Sequence, residues 1–319
     1  MSHHILGGLI ARLKKRPRLL RAATNRGLTQ RSRLARAQAR RKGGDLHLSA
    51  GAIRFRMGGR DILFPPDDLH FALYFIEHIE TFLPRLIFAP AGLRWVADCR
   101  GAAHYRLPSG GRVELPAIAE PIDFFSGYFL RGGPRPGDVV WDAGAFCGET
   151  AIEMASRVGP TGHVLAFEPD AGNVRWLERN VAASGLRNIT VVPKGLWART
   201  TVLEFSGTHD PSASLVDGSE STRTGVAPTQ IAVLSPADAW SLLGRAPDFI
   251  KMDIEGAEVE VIEALAPLLH RSVIRLAVAS YHLRGDVKTS ALITPLLENC
   301  GLRVETGYPH HQTTWAWRE

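Results

Sequence analysis

Val139-Val140-Trp141-Asp142-Ala143-Gly144-Ala145-Phe146-Cys147-Gly148-Glu149-Thr150 is the stretch on which the reading of the fold turns. An apolar run ending in Asp-x-Gly has the composition of a buried parallel strand whose carboxyl end opens into a ligand crevice. Gly144 can take a backbone conformation that a Cβ forbids, and Gly148 lets the first turn of a following helix approach a strand or a ligand closely. The stretch predicts a strand, a turn and a helix start, with a small-molecule site at the turn.

Spacing narrows the ligand. A dinucleotide fingerprint, Gly-x-Gly-x-x-Gly, uses its second glycine to bring the backbone close to a pyrophosphate. Here Gly144, Phe146 and Glu149 occupy those positions. A ring and a carboxylate stand where phosphates need room and positive potential, which disfavours a nicotinamide-dependent oxidoreductase and fits a phosphate-free cofactor; S-adenosylmethionine is the common one.

Downstream, Ile152, Ala155 and Val158 share one helical face before Gly159-Pro160, and His163 to Glu168 reads as a second strand. A helix with Val174, Leu177 and Val181 on one face follows, then a third strand at 189–192. Strand, helix, strand, helix, strand predicts a parallel sheet with right-handed crossovers. Glu168 lies at the carboxyl end of the second strand, 24 residues after Gly144; an acid there accepts hydrogen bonds from a ribose diol. Residues 200–205 and 231–234 read as further strands, flanking a polar stretch, 206–229, suited to a substrate loop. Asp248 to Glu255 is the next buried strand and its turn, followed by a helix with Val261, Ile262, Leu265, Leu268 and Leu269 on one face. Val273 to Tyr281 is a strand, Ala291 to Cys300 a helix, and 303–305 with 313–317 supply two final strands.

Upstream, residues 1–44 hold 13 Lys/Arg and no Asp or Glu, so the remaining body carries −7 although the whole chain is +6. Only the tail is basic, which weakens a nucleic-acid role for the body. The tail's Ile5, Leu6, Leu9, Ile10 and Leu13 beside clustered cations suit an arm on an anionic membrane surface or RNA, an organelle transit peptide, or a solvated extension. After Gly43-Gly44 comes a small α+β extension over 45–119: a hairpin within 46–57, a helix after Asp67-Asp68 with Leu69, Leu73, Ile76 and Ile79 on one face, and strand-like residues 94–115 around Ser109-Gly110-Gly111. A helix over 124–130 then brings Phe125 and Tyr128 to the mouth of the crevice. No apolar run reaches the roughly 18 residues of a transmembrane helix. Cys99, Cys147 and Cys300 form no Cys-x-x-Cys pair and no even set, which disfavours a disulfide framework or zinc knuckle. A cytoplasmic location is expected, with membrane association through the tail as its variant.

Three motifs together, Asp142-Ala-Gly144-x-x-x-Gly148-x-Thr150, Phe167-Glu168-Pro169 and Ile250-Lys251-x-Asp253-Ile-Glu255-Gly256-Ala-Glu258, closely resemble the FkbM-type family of S-adenosylmethionine-dependent methyltransferases. The resemblance covers about 120–319, and its third motif is the most family-specific. Ser212-x-Ser214-Leu215, Ser280-Tyr281-His282-x-x-x-Asp286 and Tyr308-x-His310-His311 are similar to one branch of the family. It implies an α/β, class I methyltransferase-like fold: a seven-stranded, mostly parallel sheet with helices on both faces. It also implies methyl transfer, usually to a hydroxyl oxygen, here of a small molecule, glycan or lipid-linked intermediate. Cofactor contact falls to Asp142, Gly144, Gly148, Thr150, Glu168, Pro169 and Asp253, with Asp142 and Gly144 toward the methionine part. Many family members carry Glu-x-His after the fifth strand, where this chain has Ser280-Tyr281-His282.

A sulfonium methyl is already activated, so the protein must hold an acceptor oxygen in line and give its proton somewhere to go. His282, at the end of a strand on the ligand edge, is the first candidate base; Asp253 and Glu255 are the competing carboxylates. Asp253, Glu255 and Glu258 offer oxygen ligands to magnesium, but the sequence shows no second cluster to complete a set, and no metal is expected. Cys147 reads as a small residue that fits. Other readings are an RNA-modifying methyltransferase tethered by the basic tail, and a non-catalytic membrane- or RNA-binding adaptor. The strand before Asp253 lacks the Asn/Asp-Pro-Pro-aromatic motif of base-modifying enzymes.

Overall fold

The computed structural model describes residues 33–116, 125–205, 229–308 and 311–318. The apolar cluster of the basic tail, the Ser212-x-Ser214-Leu215 segment, most of the polar stretch after 205, and His310 lie outside them. By contact the described residues form two compact units: 33–103, and 104–116 with the described residues from 125 on.

In the smaller unit, residues 33–41 are helical. Strands β1 (Asp45–Leu48), β2 (Ile53–Met57) and β3 (Arg60–Phe64) form an antiparallel meander. Helix α1 (Leu69–Glu77) starts where the Asp68 side chain accepts the Phe71 N–H, and α2 (Ile79–Phe82) follows directly. Strands β4 (Ala89–Ala91) and β5 (Arg94–Asp98) complete the sheet, order β1-β2-β3-β5-β4, with β3 and β5 parallel. The hairpin, the Asp68 start and the burial of Ile76 and Ile79 match the sequence reading, but Ala72 and Phe75 are buried where Leu69 and Leu73, both half-buried, were expected. Phe75 decides this: its ring stacks on Phe82 and meets Phe64 edge-on, with centroids 5.2 and 5.5 Å away.

The larger unit begins with a ribbon, β6 (Ala103–Arg106) and β7 (Arg112–Leu115). Helix α3 (Phe125–Tyr128) follows, then β8 (Val139–Ala143), α4 (Glu149–Val158), β9 (His163–Phe167), α5 (Ala171–Ser184) and β10 (Ile189–Val192). Strands β11 (Gly195–Leu196), β12 (Thr201–Phe205) and β13 (Thr229–Leu234) make a separate small sheet. After α6 (Pro236–Ser241) come β14 (Phe249–Met252), α7 (Glu258–Leu269), β15 (Arg275–Ala279), the short β16 (Leu283–Arg284) and β17 (Val287–Lys288), α8 (Thr289–Asn299), β18 (Arg303–Gly307) and β19 (Thr313–Trp317).

The central sheet has seven strands in the order β10-β9-β8-β14-β15-β19-β18. The first five run parallel; β19 is antiparallel to both its neighbours. From β8 the chain winds outward through β9 and β10, then crosses back to β14 and winds the other way. With right-handed crossovers this reversal puts α4 and α5 on one face and α7 and α8 on the other. The α7/α8 face packs Val261, Leu265, Leu269, Ile293 and Leu297 against Trp141, Leu165, Ile250 and Leu276, all buried. Crevices in such sheets form at the carboxyl ends of the strands where the winding reverses, here between β8 and β14.

The ribbon β6–β7 belongs with this sheet, not with the extension in which the sequence reading over 45–119 had placed it. Two side chains hold it: Asn180 of α5 accepts the Glu114 N–H and donates to Glu114 O, both at 2.9 Å, and Glu153 of α4 accepts the Ser109 N–H. β15 begins at Arg275, leaving Val273 exposed outside it. All three cysteines are buried and none is in a disulfide. Among the described residues no helix is long and apolar enough to cross a membrane.

Candidate active site

The turn after β8 is fastened to both neighbouring strands. Gly144 and Ala145 donate their N–H groups to Phe167 O at the end of β9, at 3.0 and 2.9 Å, while Asp253 donates its N–H to Ala143 O. Gly144 has φ +76, and a Cβ there would fall 1.9 Å from Asp253 O, so this position admits no side chain. Gly148, φ +94, caps α4; a Cβ on it would meet Leu177 of α5 at 2.7 Å. What Gly148 approaches closely is therefore a packed helix. Among the described residues Phe146 (φ +48) and Glu255 (φ +57) alone take positive φ without being glycine, and both sit at this edge. Strain of this kind concentrates at functional sites.

Asp142, fully buried, is paired in strand register with Lys251 of β14, itself 3% exposed. Lys251 Nζ lies 3.1 Å from Asp142 Oδ1 and donates to Gly144 O at 2.6 Å; Thr150 donates its hydroxyl to Asp142 Oδ2 at 2.6 Å. Burial raises the Asp142 carboxyl despite these partners. Burial pulls Lys251 down, but Asp142 and Asp253 outweigh it and leave the ammonium raised. The sequence marks Lys251 as a cation in an apolar strand, which needs a buried partner, without saying which acid supplies it.

Glu168 sits just past β9. Its Oε2 accepts the Phe146 N–H at 2.9 Å and its Oε1 the Asp170 N–H at 3.0 Å, so the strained Phe146 backbone and the start of α5 hold one carboxylate. Burial pushes Glu168 up to about 7. Pro169 follows it and leads into Asp170, the N-cap of α5. Glu149, at the start of α4, is also pushed up to about 7 by burial, and its Oε2 is sealed from solvent with no hydrogen-bond donor.

A second cluster lies past β14 and β15. Asp253 accepts the Tyr128 hydroxyl at 2.9 Å on Oδ2 and the Tyr281 hydroxyl at 3.4 Å on Oδ1. Burial first, then Asp253, holds both phenols above their ordinary range. His311 packs against both rings, centroids 4.9 and 5.5 Å away. His282 is ringed by acids: Nε2 is 3.5 Å from Asp253 Oδ1 and 3.3 Å from Glu255 Oε2, and Nδ1 is 3.1 Å from Glu258 Oε1. These are ion-pair distances, but neither ring nitrogen attains hydrogen-bond geometry. Burial opposes the imidazolium, yet Glu255, Glu258 and Asp253 together raise His282 to about 11. Glu255 is raised by burial.

The structure thus brings Asp142, Gly144, Thr150 and Asp253 to one crevice edge with Glu168, and His282, Asp253 and Glu255 into one cluster. Asp253 belongs to both. Sequence reasoning missed the Tyr281 contact with Asp253 and the Lys251–Asp142 pair. It named Tyr128 only as a residue at the crevice mouth.

The model of the methyltransferase FkbM domain matches residues 142–304. No curated protein matches the chain in sequence. Among solved structures, a methyltransferase FkbM from Methylobacillus flagellatus KT is 18% identical with a TM-score of 0.44; the match covers 78% of this chain and 53% of that one. A precorrin-6y C5,15-methyltransferase from Geobacter metallireducens GS-15 is 18% identical, covering 60% of this chain and 84% of its own, TM-score 0.36. Fibrillarin from Aeropyrum pernix, in complex with natively bound S-adenosyl-L-methionine, is 15% identical over 72% of this chain and 98% of its own, TM-score 0.40. The chain spans about half the length of the first of these. With the family model reaching across half of the sequence, from the Asp142 turn through the Asp253 and His282 cluster, the chain belongs to the FkbM methyltransferase domain family.

Proposed function

We propose that the protein transfers a methyl group from S-adenosylmethionine to a hydroxyl oxygen of a small molecule, a glycan or a lipid-linked intermediate. The observation that carries this reading is Glu168: a buried carboxylate beside a turn without the dinucleotide glycine spacing, fixed by two backbone amides and the Asn173 amide, with no cation paired to it among the described residues. Its Oε2 accepts one of these bonds and keeps a further lone pair, to which a ribose diol donates. Glu149 Oε2, buried without a donor, is an acceptor suited to the ammonium of the methionine part. Asp253 and the Tyr128 and Tyr281 rings offer a carboxylate and aromatic faces to a sulfonium.

S-adenosylmethionine supplies a methyl group already activated on sulfur. The protein's part is to hold the acceptor oxygen in line, exclude water and take up the acceptor proton. His282 is nine-tenths buried behind the acids, whereas Asp253 is the most exposed of the four groups at 26%. Asp253 is therefore placed to meet an acceptor hydroxyl, with Glu255 beside it and His282 holding the carboxylates in position. In this reading the basic segment 1–44 tethers the enzyme to an anionic membrane surface or RNA, and deletion of 1–42 abolishes that association while leaving cofactor binding intact.

Calorimetric titration of the native protein and of Glu168→Ala with S-adenosylhomocysteine tests the reading. Micromolar binding by the native protein, lost in the variant, supports it; absence of binding by the native protein removes it. Label transferred from methyl-labelled S-adenosylmethionine to hydroxylated acceptors, and abolished in Asp253→Asn, tests the oxygen acceptor.

A further inference from the structure

Three acids within six residues of the β14 turn face one imidazole from after β15, and nothing in the ordinary chemistry of an ion pair requires so many. Asp253, Glu255 and Glu258 carry three negative charges against one imidazolium at most. Of the nearby cations, Lys251 is ion-paired with Asp142 and only shared with Asp253, and Arg284 is paired with Glu260 at 2.7 and 2.8 Å. Buried charge of one sign is costly unless it is paired or coordinates a metal.

We infer that Asp253, Glu258 and His282 form a binding site for one divalent transition-metal ion of the Mn2+ or Zn2+ kind, at the rim of the crevice. One ligand atom from each lies within 4.8 Å of the other two. Bonds of about 2.0–2.2 Å allow ligand atoms up to about 4.2 Å apart, so a small side-chain rotation closes the set. A second observation concerns single atoms rather than net charge. His282 has 9% of its side chain exposed and both ring nitrogens at ion-pair distance from the acids but without a hydrogen bond, and the fully buried Glu258 carries an Oε2 with no hydrogen-bond partner. Such atoms are rarely left unsatisfied in a native protein. Glu258 Oε1 is meanwhile held by the Ile254 N–H at 3.0 Å, which fixes the carboxylate. An imidazole with two carboxylates selects a transition metal over magnesium, which prefers oxygen alone. Two carboxylates and a neutral imidazole balance a divalent charge, and the imidazole proton leaves to solvent as the ion enters. Asp253 is the most exposed of the three at 26%, so an acceptor oxygen would approach a bound ion from its side. That use rests on the methyl-transfer reading; the site itself does not.

The test uses the full chain, stripped with EDTA and dialysed, with Mn2+ as the probe. Free Mn2+ followed by electron paramagnetic resonance should show about one ion bound per chain. Pulsed measurements on the bound ion should show a nitrogen coupling from the imidazole. His282→Gln and Glu258→Gln, checked for folding by circular dichroism, should weaken uptake at least tenfold. No uptake at millimolar Mn2+, uptake without a nitrogen coupling, or unchanged uptake in both folded variants overturns the inference. The nitrogen coupling is read on the native protein and stands even if neither variant folds. S-adenosylhomocysteine titration in EDTA, run in parallel, separates the two readings. Nucleoside binding without Mn2+ uptake sinks the metal site alone, and Mn2+ uptake without nucleoside binding sinks the proposed function.

Discussion

Glu168 makes the cofactor reading quantitative. A carboxylate that accepts hydrogen bonds from a ribose diol binds in its ionised form, and burial holds this one at about 7 in the free protein. The ligand must then displace a proton at lower pH. Apparent affinity falls with the ionised fraction, so the Kd for S-adenosylhomocysteine should be about tenfold weaker at pH 6 than at pH 8, equivalent to about 1.4 kcal/mol. Replacing the carboxylate removes its charge and the tenfold that it contributes, while any slope from Glu149, also at about 7, stays the same in both proteins. Glu168→Gln should bind about thirtyfold more weakly at pH 8, the loss of charge-assisted hydrogen bonds worth about 2 kcal/mol, and its affinity should change about tenfold less than the native protein's between pH 6 and 8. Isothermal titration at pH 6, 7 and 8, with both proteins in buffers of matched ionic strength, reads both effects. A native affinity that is flat across this range, or a variant that keeps the native slope, refutes the assignment of Glu168 to the ribose.

Gly144→Ala puts a Cβ 1.9 Å from Asp253 O at φ +76, whereas Gly185→Ala, at φ +71 with nothing within 4 Å, meets only backbone strain. The first should cost about 3 kcal/mol or more and the second about 1 kcal/mol by urea denaturation; equal losses would show that the turn is looser than described. Lys251→Met leaves the fully buried Asp142 without its counter-ion, which should cost about 3–5 kcal/mol, and adding Asp142→Asn should recover part of it. An undiminished melting temperature in Lys251→Met would contradict the pair. Glu149 is raised from 4.5 to about 7, so its contribution to stability is fully present below 4.5 and is lost as pH rises through 7. Melting temperature should therefore fall between pH 5 and 8, and fall less in Glu149→Gln; identical curves would place the Glu149 carboxyl in solvent.

Much of the fold was legible because its signals are local. The run from Val139 into Gly144, the stripes of α4 and α7, and the Asp68 cap each follow from residues a few positions apart, and all appear in the structure. The ribbon β6–β7 escaped because its partners, Asn180 and Glu153, are 66 and 44 residues away from the atoms they hold. The α1 stripe held at Ile76 and Ile79 and failed at Leu69 and Leu73 because aromatic packing between Phe75 and Phe82 outweighed spacing.

By itself the sequence determined the strands of the central sheet and the helices between them, the glycine turn and the acid after β9, since periodicity and turn chemistry act over short separations. Only the tertiary structure decided which charges meet. Strand register sets Lys251 beside Asp142, and the parallel neighbours β14 and β15 bring Asp253, Glu258 and His282 together across 29 residues of chain. Side chains so far apart in sequence acquire a common chemistry only when the strands that carry them end at the same edge.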